Sequence, residues 1–451
     1  MKHKDELRLA SFGFIFFLFT GLSLKAQDTR TLSLQDAINL SIKNSKQLKV
    51  SQAKIDEATG ALREAVERKL PDGSVSGSYM RLNNPTVDLK LKTNNNNNGG
   101  GSGSGGSAKV NQAAYALVNA SLPIYAGGRI RYGIESSKYL EQAAKLDADN
   151  DRESVIQNTI DAYNNLYKAR AAVTIVDSSL AEARQRVSDY SSQERNGVLA
   201  RNDLLKAELA QSNTELSLLD AQNNWKLANV NMDLMLGLSD STEIIPDSSG
   251  FKLINDVKPI PDYVQLALQN RKDLSALDYR KKAALVGVKA TKADMYPSLA
   301  LTGGYVALDI PNALAVYNAV NLGVGVKYDI GSLWKNKARV QQAEARVRQT
   351  EAGEEVLNDA IRLQINQAYQ NFLLSRKRIE VYHTAIAQAE ENYHVIQNKF
   401  NNGLATVTDV LDADVARLQA RLNLAFAQSD SYVSYSKLLQ AAGLLNGTNN
   451  Q

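Results

Sequence analysis

Apolar residues recur at helical spacing through two very long stretches of the chain. Ile156, Ile160, Tyr163, Leu166, Tyr167, Val173, Val176 and Leu180 mark the first, and Ile361, Ile365, Tyr369, Phe372, Ile379, Tyr382, Ile386 and Tyr393 the second. Steps of three and four residues place such positions on one helix face. A shorter period governs another region, where Val320, Leu322, Val324, Val326, Tyr328 and Ile330 alternate with Asn321, Gly323, Gly325, Lys327 and Asp329. That alternation predicts a strand with one apolar face. Leu299, Leu301, Gly303, Tyr305 and Ala307 alternate in the same way, and Val75 and Tyr79, then Ala116, Val118, Ala120 and Leu122, do so more weakly.

The prolines stand only at 71, 85, 123, 246, 259, 261, 297 and 311, so both long helical stretches are free of this helix breaker. The stretches are also related. An offset of 206 places Asp161-Ala-Tyr-Asn-Asn165 on Gln367-Ala-Tyr-Gln-Asn371, Asn196-Gly197 on Asn402-Gly403, Asp203 on Asp409 and Gly237-Leu238 on Gly443-Leu444. An offset of 226 relates the preceding segments, matching Pro71 to Pro297, Gly77 to Gly303 and Tyr79 to Tyr305. A tandem duplication is the reading, with an indel between the matched blocks. Each half is expected to run helix, strand, loop, strand, long helix, turn, helix. The first half places these at about 33–70, 73–82, 83–110, 112–124, 129–194, 195–200 and 201–238. The second places them at about 259–295, 298–309, 310–317, 318–330, 334–400, 401–406 and 407–446. The expected divisions are a leader 1–26, a first repeat 27–238, a linker 239–258, a second repeat 259–446 and a tail 447–451.

The leader reading rests on Lys2, Lys4 and Arg8, the apolar run Phe12–Leu22, and Ala26 as the residue before cleavage. It implies export. There is no cysteine, hence no disulfide framework, and a formal net charge of +4 without a basic cluster gives no nucleic-acid footprint. No later apolar run approaches the length of a transmembrane helix. The loop Asn94–Gly106 is rich in Asn, Gly and Ser and predicts a flexible connection.

Length turns these elements into an architecture. Helices of about 66 residues span roughly 100 Å, and the shorter ones roughly 57 Å, so two short helices end to end match one long one. Each strand has about the 9–11 residues that a tilted membrane-spanning strand requires. The alternative is a soluble four-stranded sheet. Four strands cannot close a barrel in lipid, where an open edge leaves backbone groups unpaired, so a membrane reading demands several copies of the chain.

After each long helix a glycine leads into a short linker and an Asp-hydrophobic-Leu pattern. The second copy reads Gly403-Leu-Ala-Thr-Val-Thr-Asp409-Val-Leu-Asp412-Ala413, and the first Gly197-Val-Leu-Ala-Arg-Asn-Asp203-Leu-Leu-Lys206-Ala207. With the duplication, the leader and the strand pairs, this resembles the TolC family of outer-membrane efflux proteins across essentially the whole mature chain. The resemblance implies a mixed α and β membrane protein, a homotrimer whose protomers each lend four strands to a 12-stranded β-barrel and long hairpins to a periplasmic α-helical barrel. It implies passive conduction as the exit duct of a tripartite pump, with a periplasmic adaptor and an inner-membrane pump of RND or ABC type as partners, and outer-membrane lipid around the barrel. A duct for type I protein export shares this fold. A periplasmic adaptor is the rival of another class, although it would carry one hairpin flanked by soluble β-domains.

The resemblance also nominates residues. Asp409 and Asp412, three apart on one helix face, would ring the periplasmic entrance, with Asp203 as partner in the closed state. Thr406 and Asp409 also fit a helix-capping box. Asn196, Gly197, Val198, Leu199, Asn402, Gly403, Leu404 and Ala405 would form the tips that meet the adaptor. Two departures stand out. Family members carry a tyrosine and an arginine that lock the closed gate, where this chain has Phe400 and Ala405. Arg201 and Arg195 are the candidate substitutes. His383 and His394 lie 11 residues apart and cannot share a metal. No cofactor, metal site or catalytic constellation is expected.

Overall fold

The computed structural model describes residues 29–83, 85–87, 108–247, 251, 257–311 and 314–445. The leader, the Asn94–Gly106 run, parts of the 239–258 linker and the tail 447–451 lie outside the described residues.

The chain enters through a short strand β1 (Thr29–Leu32) and two helices, α1 (Leu34–Asn44) and α2 (Lys46–Glu67). Next come β2 (Asp72–Arg81), the small strands β3 (Thr86–Val87) and β4 (Ala108–Lys109), and β5 (Gln112–Ala126). The 67-residue helix α3 (Arg129–Arg195) and α4 (Arg201–Leu236) complete the first half. Strand β6 (Glu243–Pro246) leads to α5 (Ile260–Asn270), α6 (Lys272–Ala293), β7 (Ser298–Ile310), β8 (Leu314–Lys327), the 70-residue α7 (Ser332–Asn401) and α8 (Val407–Ala441). At 1.5 Å per residue, α3 and α7 each run for roughly 100 Å. Among the described residues no helix is long and apolar enough to cross a membrane.

Two expected helices are each split by one extended residue. Ser45 adopts φ −56°, ψ 122° and its hydroxyl accepts from Leu48 N at 3.2 Å, ending α1 and capping α2. Arg271 adopts φ −64°, ψ 124°, and its guanidinium forks onto Asp273 at 2.6 and 3.0 Å while reaching the Ala441 carbonyl at 3.3 Å. Strands β1 and β6 were not anticipated. They pair in parallel, Thr29 with Glu243 through Leu32 with Pro246. This ribbon covers Tyr163 of α3, whose hydroxyl lies 2.8 Å from the Leu32 carbonyl and 2.9 Å from that of Asp247. Leu32, Ile38, Ile156, Ile160, Leu166, Met232, Leu236 and Ile244 join Tyr163 in one buried cluster at mid-length of α3.

The long helices define the layout. Towards the sheet the neighbours run α2, α3, α6, α7; beyond the break points they run α4, α3, α8, α7. Short helices therefore follow one another along the long ones, and among the described residues the two sides left without a neighbouring helix are α2/α4 and α7.

The sheet has the order β2-β5-β7-β8, antiparallel throughout, so among the described residues β2 and β8 are free edges. Directly paired residues point to the same face. One row reads Val75, Val118, Tyr305, Val320, followed by Ala120, Gly303, Leu322 and then Leu122, Leu301, Val324. The intervening rows read Ser74, Asn119, Gly304, Asn321 and Ser121, Thr302, Gly323. One face is thus apolar yet bare, with Leu322 83% and Val75 81% exposed, and the other is small and polar. The described part of 310–317 is not simply a loop, because β8 begins at Leu314. A bulge opposite Val306–Leu308 puts Asn318 at φ 59°, and the Tyr305 hydroxyl donates to the Asn318 side chain at 3.2 Å.

Candidate functional site at the hairpin tips

Each long helix ends in a tight reversal. Gly197 has φ 75° and Gly403 φ 72°, left-handed conformations in which a side chain would be strained. In the first tip Gly197 N donates to Glu194 O at 2.9 Å and Val198 N to Gln193 O at 2.9 Å. The second repeats this, with Gly403 N to Phe400 O at 2.9 Å and Leu404 N to Lys399 O at 2.8 Å. These bonds satisfy the last carbonyls of α3 and α7. Val198 and Leu404 stand 76% and 77% exposed, one bare apolar side chain per tip, flanked by exposed Asn196 and Asn402. Leu199 differs from the other expected tip residues, since it packs inward, and Ala405 is half-buried.

The three acids nominated for the gate have different surroundings. Asp409 closes a capping box: its carboxylate accepts from Thr406 N and Thr406 Oγ1, both at 2.7 Å, and Asp409 N donates to Thr406 Oγ1 at 3.2 Å. The Thr406 backbone bond, then its hydroxyl, hold the Asp409 carboxyl below its usual pKa. Asp412, one turn further, is exposed and has no partner among the described residues. Asp203 lies 3.1 Å from Lys206 Nζ, and the same ammonium donates to Thr408 Oγ1 at 3.2 Å. Lys206 therefore links α4 to α8. Arg201 and Arg195 do not: Arg201 faces Glu194 at 3.9 Å and Arg195 donates to Ser192 at 3.2 Å, both within the first hairpin. The sequence reading passed over Lys206, although the 206-residue offset sets it on Asp412.

Behind the acids an apolar plug joins the two hairpins. Tyr190, Leu204, Ala207 and Val407 are buried, with Leu199, Phe400 and Leu411 against them. The Phe400 ring meets that of Tyr190 at 5.3 Å. The Tyr190 hydroxyl is buried without a hydrogen-bond partner, and burial pushes its pKa up to about 12.

About three turns from the tip glycines, just beyond the plug, charge is buried in the α3–α8 seam. The Asp414 carboxylate accepts from Arg186 at 2.9 Å and Arg417 at 2.7 Å, and the three side chains are only 12%, 9% and 9% exposed. Arg417 also binds Glu182 and stacks 3.7 Å over the Tyr393 ring, while Arg421 bridges Glu182 and Glu390. Residues of α3, α7 and α8 thus share one ion network.

Nearer mid-length, α3, α7, α8 and the α5–α6 break enclose an open groove of about 970 Å³ lined largely by amides and charges. Glu153 on its wall is 8% exposed, and burial raises its pKa to about 7 against the pull of Lys272 and Arg271. His383 and His394 are both exposed on α7. Among the described residues no group of three or more His, Cys, Asp or Glu could hold a metal ion.

A four-stranded sheet with one bare apolar face, continued by long helical hairpins whose far tips carry acids, is the architecture of an outer-membrane efflux protein. The chain belongs to the outer membrane efflux protein family, whose family model matches residues 37–238 and 263–444. Its place is the outer membrane. Among curated relatives, the outer membrane efflux protein BepC of Brucella suis is 23% identical over 322 residues, covering 71% of this chain and 70% of BepC. The cobalt-zinc-cadmium resistance protein CzcC of Cupriavidus metallidurans is 23% identical over 308 residues, 67% of this chain and 71% of its own. The crystal structure of the outer membrane protein VceC from Vibrio cholerae superposes with a TM-score of 0.73 at 20% identity, covering 91% of this chain and 96% of VceC.

Proposed function

We propose that three copies of this chain close into the exit duct of a tripartite efflux pump, conducting cargo passively across the periplasm and outer membrane. The carrying observation is a pair of unsatisfied edges on opposite sides of one protomer. Strand β2 and helices α2/α4 form one side; β8 and α7 form the other. Both helical sides present bare apolar residues, Leu209, Leu216 and Leu219 on α4 and Val356, Leu363 and Val381 on α7. Side-to-side contact between unlike surfaces makes a closed ring when the rotation fits. Three copies supply twelve strands, four from each, within the range of membrane barrels. The apolar face then meets lipid, and Ser74, Asn119, Thr302 and Asn321 line the lumen. The two sequence halves act as successive repeats of this wall. The hairpin tips receive a periplasmic adaptor, and an inner-membrane pump of RND or ABC type selects the cargo. This is conduction rather than catalysis.

The mass of the detergent-purified protein tests the assembly, with three copies expected; a monodisperse, detergent-free monomer would overturn it. At the entrance, Asp412 is the free acid, and Asp409 serves as cap and charge together. Multivalent cations added on the periplasmic side should block single-channel current, and Asp412→Asn should weaken that block. An unchanged block would leave Asp412 as ordinary solvated surface.

A further inference from the structure

We infer that Lys206 sets both the closure and the charge selectivity of the periplasmic entrance. The inference rests on the pore reading above. Helices α4 and α8 begin at Arg201 and Val407, so Lys206 and Asp412 are each the sixth residue of equivalent helices. Asp203 and Asp409 are likewise each the third. A strict repeat of the second copy would put an acid at all four places, whereas the first copy puts an ammonium at one. At those four places each protomer carries one cation against three carboxylates. Lys206 is half-exposed and bridges Asp203 at 3.1 Å to Thr408 at 3.2 Å.

Two effects follow from that position. The first is mechanical. The Lys206–Thr408 bond is a polar tie between α4 and α8 at the level of the acids, on the tip side of the buried Arg186–Asp414 pair, where Phe400 and Ala405 offer neither hydroxyl nor charge. Arg201 and Arg195 stay within their own hairpin. Opening that separates α4 from α8 must break this tie. The second is electrostatic. An ammonium among carboxylates lowers the local cation excess that an all-acid ring would hold, so Lys206 makes the entrance less cation-selective than its aspartates alone would. Thr408 carries no charge, which allows the two effects to be separated.

The experiment is planar-bilayer recording of the full-length protein, comparing the parent with Lys206→Gln, Thr408→Val and Asp412→Asn. Lys206→Gln should raise the cation-to-anion permeability ratio roughly two- to fourfold at about 0.1 M salt, with the gain vanishing near 1 M, where screening shortens to about 3 Å. Thr408→Val should leave that ratio unchanged while raising mean conductance, and Lys206→Gln should raise conductance as well. Asp412→Asn should shift the ratio the opposite way. If Asp412→Asn responds and Lys206→Gln does not, the inference fails and the pore reading stands. If neither variant alters the ratio, the acids do not line the entrance and both readings fail. A Thr408→Val channel with parental conductance would refute the tie.

Discussion

Asp414→Ala is expected to damage this protein more than any substitution at the tips. The carboxylate answers two arginines at 2.9 and 2.7 Å in a seam where all three side chains are at most 12% exposed. After its removal Arg417 keeps Glu182 and the Tyr393 ring, but Arg186 retains only the Tyr393 hydroxyl at 3.3 Å. Stranding one partner of a buried ion pair costs about 3–5 kcal/mol, because the remaining charge stays desolvated. At roughly 2 °C per kcal/mol, the low end for a long chain, the thermal midpoint should fall about 6–10 °C. Replacing the pair by apolar residues of similar volume is often neutral, so Asp414→Leu with Arg186→Met should recover most of the loss. Circular dichroism melts in detergent give both numbers. A midpoint for Asp414→Ala within about 2 °C of the parent would refute the argument, as would a double variant no better than the single one.

Neighbouring residues on β8 should respond oppositely to charge. In the proposed barrel Leu322→Arg would place a cation on the lipid face at a cost of about 2–4 kcal/mol near the bilayer midplane and should sharply reduce folded protein in the outer membrane, whereas Asn321→Arg would face the lumen and should fold and alter conductance. Glu153 titrates at about 7 in the folded chain against 4.5 for the ordinary group. The folded state therefore binds the extra proton between those values, and stability rises as pH falls through that window. Glu153→Gln should be more stable than the parent at about pH 8, by up to about 3 kcal/mol, and should lose that pH slope; parallel stability-versus-pH curves for the two proteins would refute it.

Much of this architecture was legible because its signals are local and periodic. Val320, Leu322, Val324 and Val326 announce their shared face by alternation alone, and Gly197 and Gly403 mark reversals that few other residues tolerate. The long helices end within a few residues of where their pattern stops. What escaped was decided elsewhere. Ser45 and Arg271 break helices through a cap and through a contact with α8, neither of which disturbs apolar spacing. Strands β1 and β6 are four residues each and exist by pairing across most of the first half. The start of β8 was hidden by arithmetic: the bulge at Asn318 reverses the period, so Val316 and Val320 share parity but point to opposite faces. At the entrance, family resemblance directed attention to acids and to a missing lock. The lysine that reaches Thr408 is outside that pattern and visible only by comparing the two halves.

The central pairing of the sheet has a consequence for how the protein comes into being. Strand β5 meets β2 across a nearby hairpin but meets β7 only through pairs such as Ala114 with Asp309. During export the first hairpin emerges long before its partner strand has been delivered. Until then both of its edges are open templates for any strand that diffuses past. Contacts so distant in sequence also form slowly, since a large loop must close before they are rewarded. A chain delivered from its N-terminus therefore leaves the β7-facing edge of β5 unpaired until Ser298–Ile310 has followed it.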